Sequence, residues 1–323
     1  MIKKIIYILL LIPIVTNASD NNKYGWDIPH TPLNIGGYLD MSYDNQREDA
    51  FLFNDIALLF FAHKNRFSFV GEIELSNISL DGKSNRSSDV DLYIERLELG
   101  YDITDTQNIK IGRFNSKVGY WNQAPISILQ NTTTSPHAAK YMFPQSTTGI
   151  EYGYQYEDSY YGITLQHNTD IGMEDTSFSD NDIITDRHIS FSYYYENDTT
   201  SYFISSGIYR EENLKTQSYY AGIGFEYTSA KYELQAELFT QQSNEMEDRP
   251  YSGYMQSLLY IDKKQDVVLR FESYKDNVID KKENNYLLGY VYRPWKNMVF
   301  KTEYIYHQKA SSNQLSSSIS VLF

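Results

Sequence analysis

Apolar and polar residues alternate with a period of two along most of the chain from residue 34 onward, and no helical period survives for long. In 231–241, Tyr232, Leu234, Ala236 and Leu238 share one face, while Lys231, Glu233, Gln235 and Glu237 share the other. In 66–77, Phe67, Phe69, Gly71, Ile73 and Leu75 oppose Arg66, Glu72 and Glu74. In 266–276, Val267, Leu269 and Phe271 oppose Asp266, Arg270 and Glu272. Segments 251–261 and 284–292 carry apolar residues on both faces, so their facing is less defined. The pattern predicts sixteen strands, at 34–43, 52–61, 66–77, 91–102, 108–115, 146–156, 159–168, 187–196, 201–210, 217–227, 231–241, 251–261, 266–276, 284–292, 297–308 and 314–323. Their lengths lie near the ~9–11 residues that a tilted membrane-spanning strand needs.

The connections sort by parity. Those after even-numbered strands are short, as at 63–65, 157–159 and 228–230, whereas several after odd-numbered strands are long and polar: 78–90, 116–145, 169–186 and 242–250. Even-numbered strands also end on aromatics: Phe61, Tyr101, Tyr156, Tyr195, Tyr227, Tyr260, Tyr292 and Phe323. A soluble sandwich has no reason to do either. Short turns on one side, long loops on the other and an aromatic girdle predict an all-β fold: a transmembrane antiparallel β-barrel of about sixteen strands, with both termini periplasmic. The last strand puts Leu315, Ile319, Val321 and Phe323 on one face and Ser316, Ser318 and Ser320 on the other. Pairing it with the first strand would remove a free edge.

At the other end, Lys3 and Lys4, the apolar run Ile5–Val15 and the small residue Ala18 form the three parts of a secretory signal peptide, 1–18. Ser19 to Leu33 (19–33), with Pro29 and Pro32, reads as a periplasmic lead, and 34–323 as the barrel. The expected location is the outer membrane of a Gram-negative bacterium, with lipid and lipopolysaccharide as surroundings. The chain has no cysteine, which excludes lipoprotein acylation, disulfides and thiolate chemistry. Its mean hydropathy of -0.51 would suit a soluble protein, but only alternate residues of a barrel strand meet lipid. With 31 tyrosines and 16 phenylalanines it is rich in residues that settle at membrane interfaces. A net charge of -14 argues against nucleic acid as a partner.

Strand parity assigns an interior set of candidate pore-lining residues. The acids are Asp40, Asp55, Glu72, Glu74, Glu98, Glu151, Glu226, Glu233, Glu237, Glu272 and Glu303; the bases are Arg66, Arg96, Lys110, Lys231, Arg270 and Lys301. Acids and bases can pair across strands and stiffen the wall, or rings of charge can set ion selectivity; acids predominate, so a weak cation preference is expected. The longest connection, 116–145, holds the constriction candidates Lys117, Trp121, His137 and Lys140. Its apolar residues Ile126, Ile128, Leu129, Tyr141, Met142 and Phe143 would be buried either by folding into the lumen or by packing as a lid on the barrel rim. The six histidines, His30, His63, His137, His167, His188 and His307, carry no catalytic motif; His188 and Ser190 share a face, but nothing more. No catalytic, metal or cofactor set is predicted. The acidic stretches Asp180–Asp182 and Glu245–Asp248 read as solvated turns.

Ile109-Lys-Ile-Gly-Arg-Phe114 followed by Gly119-Tyr-Trp-Asn122 resembles an element of Gram-negative porins related to the phosphate-selective porins. Phe69–Leu75 and Leu92–Leu99 are similar to early strands of that family, so the likeness spans roughly 34–155. The resemblance implies a sixteen-stranded diffusion channel for small hydrophilic solutes, commonly a homotrimer, with the third long loop at the constriction. It also implies that the C-terminal strand and its Phe323 address the barrel-assembly machinery. The acidic interior departs from the basic ladder of the phosphate-selective members, so that selectivity is not implied here. A surface adhesin or structural barrel, and more remotely a barrel hydrolase, are the competing readings.

Overall fold

The computed structural model describes residues 25–80, 91–124, 126–171, 183–212, 215–244, 249–276, 281–310 and 312–323. The expected signal peptide, the acidic stretches 180–182 and 245–248, and parts of the lead and of all four long connections lie outside them.

A two-residue strand, β1 (Trp26–Asp27), precedes sixteen long ones: β2 (Leu33–Asp44), β3 (Phe51–Lys64), β4 (Phe67–Ser79), β5 (Asp91–Asp102), β6 (Gln107–Asn115), β7 (Ser146–Tyr156), β8 (Ser159–Gln166) and β9 (Thr185–Glu196). They continue with β10 (Thr200–Glu211), β11 (Gln217–Thr228), β12 (Tyr232–Ser243), β13 (Tyr251–Tyr260), β14 (Gln265–Asp276), β15 (Lys281–Trp295), β16 (Met298–His307) and β17 (Gln314–Leu322). From β2 onward each strand pairs antiparallel with the next, and β17 pairs back onto β2 in the register Ile319↔Met41, closing a sixteen-stranded barrel. Phe323 completes the seam: its amide and carbonyl both bond to Gly37 at 2.8 Å. β1, inside the expected lead, takes up the edge of β2 just below, pairing Trp26 with Ile35. Closure leaves no long edge exposed to other chains.

The wall alternates as the charges demand. Along β12, Glu237 is buried while Leu238 is 51% exposed on the outside. The outer surface carries a continuous apolar band, with Ile73, Ile111, Ile163, Ile204, Ile223, Leu269 and Leu288 all exposed. At the short-turn end this band meets an aromatic belt whose rings touch across strands: Phe67–Tyr101 at 4.8 Å, Tyr195–Tyr202 at 4.8 Å and Tyr227–Tyr232 at 5.9 Å between centroids. Two residues expected in the belt face inward instead. Asn54 is an extra residue opposite the Asp40/Met41 step, a bulge that inverts parity between the two ends of β3 and turns Phe61 toward Tyr38. Tyr260 points its hydroxyl at Glu233, 3.3 Å away.

Two expected wall residues lie outside the strands. Arg66 sits in the turn between β3 and β4, next to left-handed Asn65 (φ 58°), and donates to the Ile103 carbonyl of the neighbouring turn at 3.0 Å. Lys231 is exposed in the turn before β12. In each case the preceding strand runs past its expected end, so the turn shifts along the chain and the following strand starts one residue later than the alternation suggests. β15 is longer than expected at both ends; Pro294 is accommodated where the ladder with β16 slips between Tyr292 and Trp295.

Candidate functional site

The segment 116–145 leaves β6 and returns to β7 through a closed neck. The Ser116 amide donates to the Gln145 carbonyl at 2.8 Å, and Asn122 Nδ2 donates to the carbonyls of Ser116 and Gln145 at 2.7 and 2.9 Å. Between these points the chain forms two short 3₁₀ turns, Trp121–Gln123 and Ser127–Leu129, and a five-residue helix, α1 (His137–Tyr141). From this neck it reaches strands on the far side of the barrel, at mid-height. It therefore crosses the lumen rather than lying on the rim.

Wall carboxylates hold it by its backbone. Glu237 Oε1 on β12 accepts from the amides of Tyr120 (2.5 Å) and Trp121 (3.3 Å). On β16, the two oxygens of Glu303 accept from Thr133 (2.8 Å) and Thr134 (2.9 Å), and Glu272 on β14 accepts from His137. Wall cations hold its carbonyls and hydroxyls. Arg270 donates to Thr132 Oγ1 (3.0 Å), the Thr134 carbonyl (2.9 Å) and Thr134 Oγ1 (2.9 Å). Lys301 donates to the carbonyls of Ser127 (2.8 Å) and Thr132 (3.2 Å), and Arg293 to Asn131 Oδ1 (2.7 Å). Backbone groups taken from water into a confined space need such partners, and charged ones give the stronger bonds.

Apolar packing supplies the seat. Val118, Ala138, Met142 and Phe143 of the loop bury against Phe203, Tyr209, Tyr220 and Phe239 of β10–β12. Ile128 packs with Leu258, Val268, Leu287, Val291, Val299 and Ile305 of β13–β16. Part of the inner wall is therefore apolar, beside the charged residues that strand parity places there. It also explains why 251–261 and 284–292 are apolar on both faces: one face belongs to the outer apolar band and the other meets the loop.

The expected constriction residues divide by role. Trp121 is buried at the Glu237 anchor. His137, which carries no catalytic motif in the sequence, places Nε2 3.0 Å from Asp276 and stacks on Tyr274 at 3.9 Å between centroids. Lys140, half-buried, closes the last turn of α1. Lys117 is half-buried beside the neck, its Nζ 4.0 Å from the Tyr160 ring centroid and 5.7 Å from that of Tyr194, and burial pulls its ammonium below the ordinary lysine range.

Of the eleven interior acids, seven are buried: Asp40, Glu72, Glu74, Glu151, Glu237, Glu272 and Glu303. Three of these hold the loop, and others are occupied by wall partners. Glu74 accepts from the hydroxyls of Tyr38 and Tyr93 (both 2.7 Å), Glu72 pairs with Arg96 Nε (2.5 Å), Asp40 accepts from Asn54 (2.5 Å), and Glu151 accepts from Tyr160 (3.1 Å). Asp55, Glu98, Glu226 and Glu233 stay half-buried, as do Arg96 and Lys110; Lys110 Nζ lies 3.7 Å from Glu98 and 3.6 Å from Glu151. The loop residues Gln123 and Leu129 are exposed. His188 is buried between hydroxyls, Nδ1 2.9 Å from Thr147 Oγ1 and Nε2 3.1 Å from Tyr220 Oη, an environment without an orienting carboxylate. Among the described residues no group of three or more metal-ligating side chains converges.

Gly112 marks where the loop-bearing hairpin bends. Its φ is +125°, and an added Cβ would stand 2.0 Å from the Leu97 carbonyl oxygen, so the glycine in Ile109–Phe114 is required by backbone geometry.

No protein-family model matches the chain, and no curated protein does. Solved structures match it over nearly its full length. The anion-selective porin from Comamonas acidovorans shares 14% identity at a TM-score of 0.65, with 90% of this chain and 99% of that one covered. Salmonella typhi OmpF, solved with daunomycin, shares 12% identity at a TM-score of 0.68, covering 91% and 98%. The outer membrane channel DcaP of Acinetobacter baumannii shares 11% identity at a TM-score of 0.63, covering 93% and 100%. At these identities the likeness is one of fold: the closed sixteen-stranded barrel that outer-membrane porins use.

Proposed function

We propose that this chain is an outer-membrane porin through which small hydrophilic solutes and ions diffuse passively. The observation that carries the reading is a long loop fastened across the lumen at mid-height by six charged wall residues. It narrows the barrel from one side, while Arg96, Glu98, Lys110 and Tyr160 on the opposite wall remain half-buried. A structural barrel or adhesin has no need of a loop held in its interior. The neighbours support the reading by name, as a porin and an outer membrane channel, and one further match, OmpT of Vibrio cholerae (10% identity, TM-score 0.63), was solved in a trimer form. The relation to phosphate-selective porins rests on the sequence likeness of Ile109–Phe114 and Gly119–Asn122, with Phe69–Leu75 and Leu92–Leu99. The proposed setting is a homotrimer in the outer membrane with both termini periplasmic, inserted by the assembly machinery after export.

Of the pore-lining charges expected from the sequence, those that stay half-buried in the wall are four acids and two bases, and the loop holds no carboxylate at all. Weak cation preference follows, fading as salt rises and the Debye length falls from ~10 Å at 0.1 M to ~3 Å at 1 M. The reversal potential across a planar bilayer under a KCl gradient tests this, and a barrel that does not conduct refutes the porin reading outright. Because burial lowers the Lys117 pKa, its positive charge is lost at a pH below the ordinary lysine range. Raising pH through that point should strengthen cation preference in the parent protein and leave Lys117→Met unchanged. A parallel pH response in both would remove Lys117 from the constriction.

Orientation has its own test. An epitope inserted at Glu157–Asp158 should stay hidden on intact cells, whereas one inserted within 169–186 should be labelled. The reverse pattern would invert the topology.

A further inference from the structure

Between the loop and the wall, toward the long-loop mouth, lies a cavity of about 90 Å³ that the loop anchors leave unfilled. That is room for about three waters, or for one compact polar molecule the size of glycine or alanine. Its chemistry is uneven in an informative way. The Asn285 amide donates to Glu272 Oε2 at 3.2 Å, so its oxygen is the partner of His307 Nδ1 at 2.8 Å. His307 must then donate from Nδ1, which makes Nε2 an acceptor. Gln314 spends its amide nitrogen on Asp44 (2.6 Å) and Ser316 (3.2 Å), leaving its oxygen as an acceptor. Each oxygen of Glu272 takes one protein donor and keeps a lone pair. Three acceptors, one of them charged, thus line a single recess.

The hydroxyls of Thr134 and Ser135 also line the recess, and one charged donor balances the acceptors. Arg270 uses both Nη1 hydrogens and one of the two on Nη2 for the loop, which leaves Nε–H and the second Nη2–H. Leu287 and Ile305 supply an apolar patch of lining. A simple cation would meet the Arg270 charge, and a simple anion would meet Glu272.

We infer that this recess is a solute subsite for a small α-amino-acid zwitterion, a reading that refines the porin proposal above. The ammonium group brings three donors to Glu272, His307 Nε2 and Gln314 Oε1. The carboxylate takes the remaining hydrogens of Arg270, and a hydrogen or methyl side chain lies against Leu287 and Ile305. A subsite so close to the loop would raise the local solute concentration ahead of the narrowest passage.

Isothermal titration of the folded, detergent-solubilised protein with glycine tests the inference without requiring conduction. Glycine should bind, with methylammonium and acetate at least about tenfold weaker, a difference of about 1.4 kcal/mol. His307→Phe and Gln314→Leu touch none of the loop anchors. Each should weaken glycine binding severalfold, while the heat-modifiable mobility of the barrel and its KCl conductance stay as in the parent. Equal binding in both variants, acetate or methylammonium matching glycine, or no glycine binding by the folded parent would each overturn the subsite. A parent that binds glycine but does not conduct would refute the porin proposal and keep the subsite.

Discussion

Replacing Glu237 and Glu303 together by glutamine is expected to turn a steady channel into a flickering one with larger open steps. The two carboxylates receive four backbone amides, those of Tyr120, Trp121, Thr133 and Thr134. At position 303 a glutamine side chain keeps one acceptor oxygen and turns an NH₂ group toward a donor it cannot satisfy, and at both positions the acceptor loses its charge. Hydrogen bonds to a charged group are worth about 1.5–3 kcal/mol each. At Glu303 each oxygen takes one amide, so glutamine forfeits one bond, whereas at Glu237 both amides share Oε1 and are kept as weaker bonds to a neutral oxygen. One bond lost and three weakened cost about 3–6 kcal/mol of loop docking, or about two to four powers of ten in the docked population. Met142 and Phe143, both buried in the apolar seat, oppose full release, which is why exchange rather than permanent opening is expected. Glu151→Gln is the control, since Glu151 is bonded to Tyr160 and Lys110 of the wall and not to the loop. Single-channel recording reads the difference, and an unaltered, steady conductance in the double variant would show that the loop does not depend on these anchors.

That experiment separates two uses of the same residue type that alternation could not distinguish. The barrel was legible because its outer face and its lumen carry opposite chemistry on neighbouring residues. Leu238 beside Glu237 and Ile73 beside Glu74 leave one orientation each, and the sixteen strands fall within a few residues of where the alternation puts them. Charge count was a poorer guide. Glu237, Glu272 and Glu303 look like members of a selectivity ring, yet their partners lie 117, 170 and 135 residues away in the chain for Tyr120–Glu237, Thr133–Glu303 and His137–Glu272. Nothing local announces such pairings. Thr132, Thr133 and Thr134 have no pattern at all and become anchor points only because Arg270, Lys301 and Glu303 face them across the lumen.

One signal was present in a different form. Apolar residues on both faces of 251–261 and 284–292 blurred the facing of those strands, and this is the mark of an inner wall that receives packed chain. Leu258, Leu287 and Val291 are the inward members of that set, all beneath Ile128 of the loop. The misplacements of Arg66 and Lys231 have a smaller cause: the preceding strand runs on past its expected end, and the shifted turn takes the first expected side chain of the next strand out of the wall. Phe61 faces inward because Asn54 bulges, and a single extra residue reverses a strand of period two.

Closure of the barrel should fail when Gly37 is replaced by valine. At this position the first and last long strands meet, with Phe323 bonded to Gly37 through both backbone groups. A Cβ on Gly37 would stand 2.5 Å from the Ala57 carbonyl oxygen and 2.8 Å from the Phe323 ring. The oxygen belongs to the β2–β3 ladder and cannot retreat without breaking it, while the ring is hemmed in by Trp26 at 6.1 Å. Overpacking in a well-filled site costs about 1–3 kcal/mol, and a second branch on valine adds to it at a seam that no other strand can replace. Phe323→Ser should also impair closure, but less, because it removes a ring that covers the seam and leaves the backbone pairing possible. Ser318→Ala is the internal standard: its hydroxyl meets Thr133 Oγ1 in the lumen at 3.0 Å, and losing that bond costs about 1 kcal/mol with no effect on the seam. The readout is the fraction of heat-modifiable barrel recovered from membranes or by refolding. The expected order is Gly37→Val lowest, Phe323→Ser intermediate and Ser318→Ala near the parent. Recovery of Gly37→Val at the parent level would mean that the β2–β17 seam tolerates a side chain, and that closure is set elsewhere in the barrel.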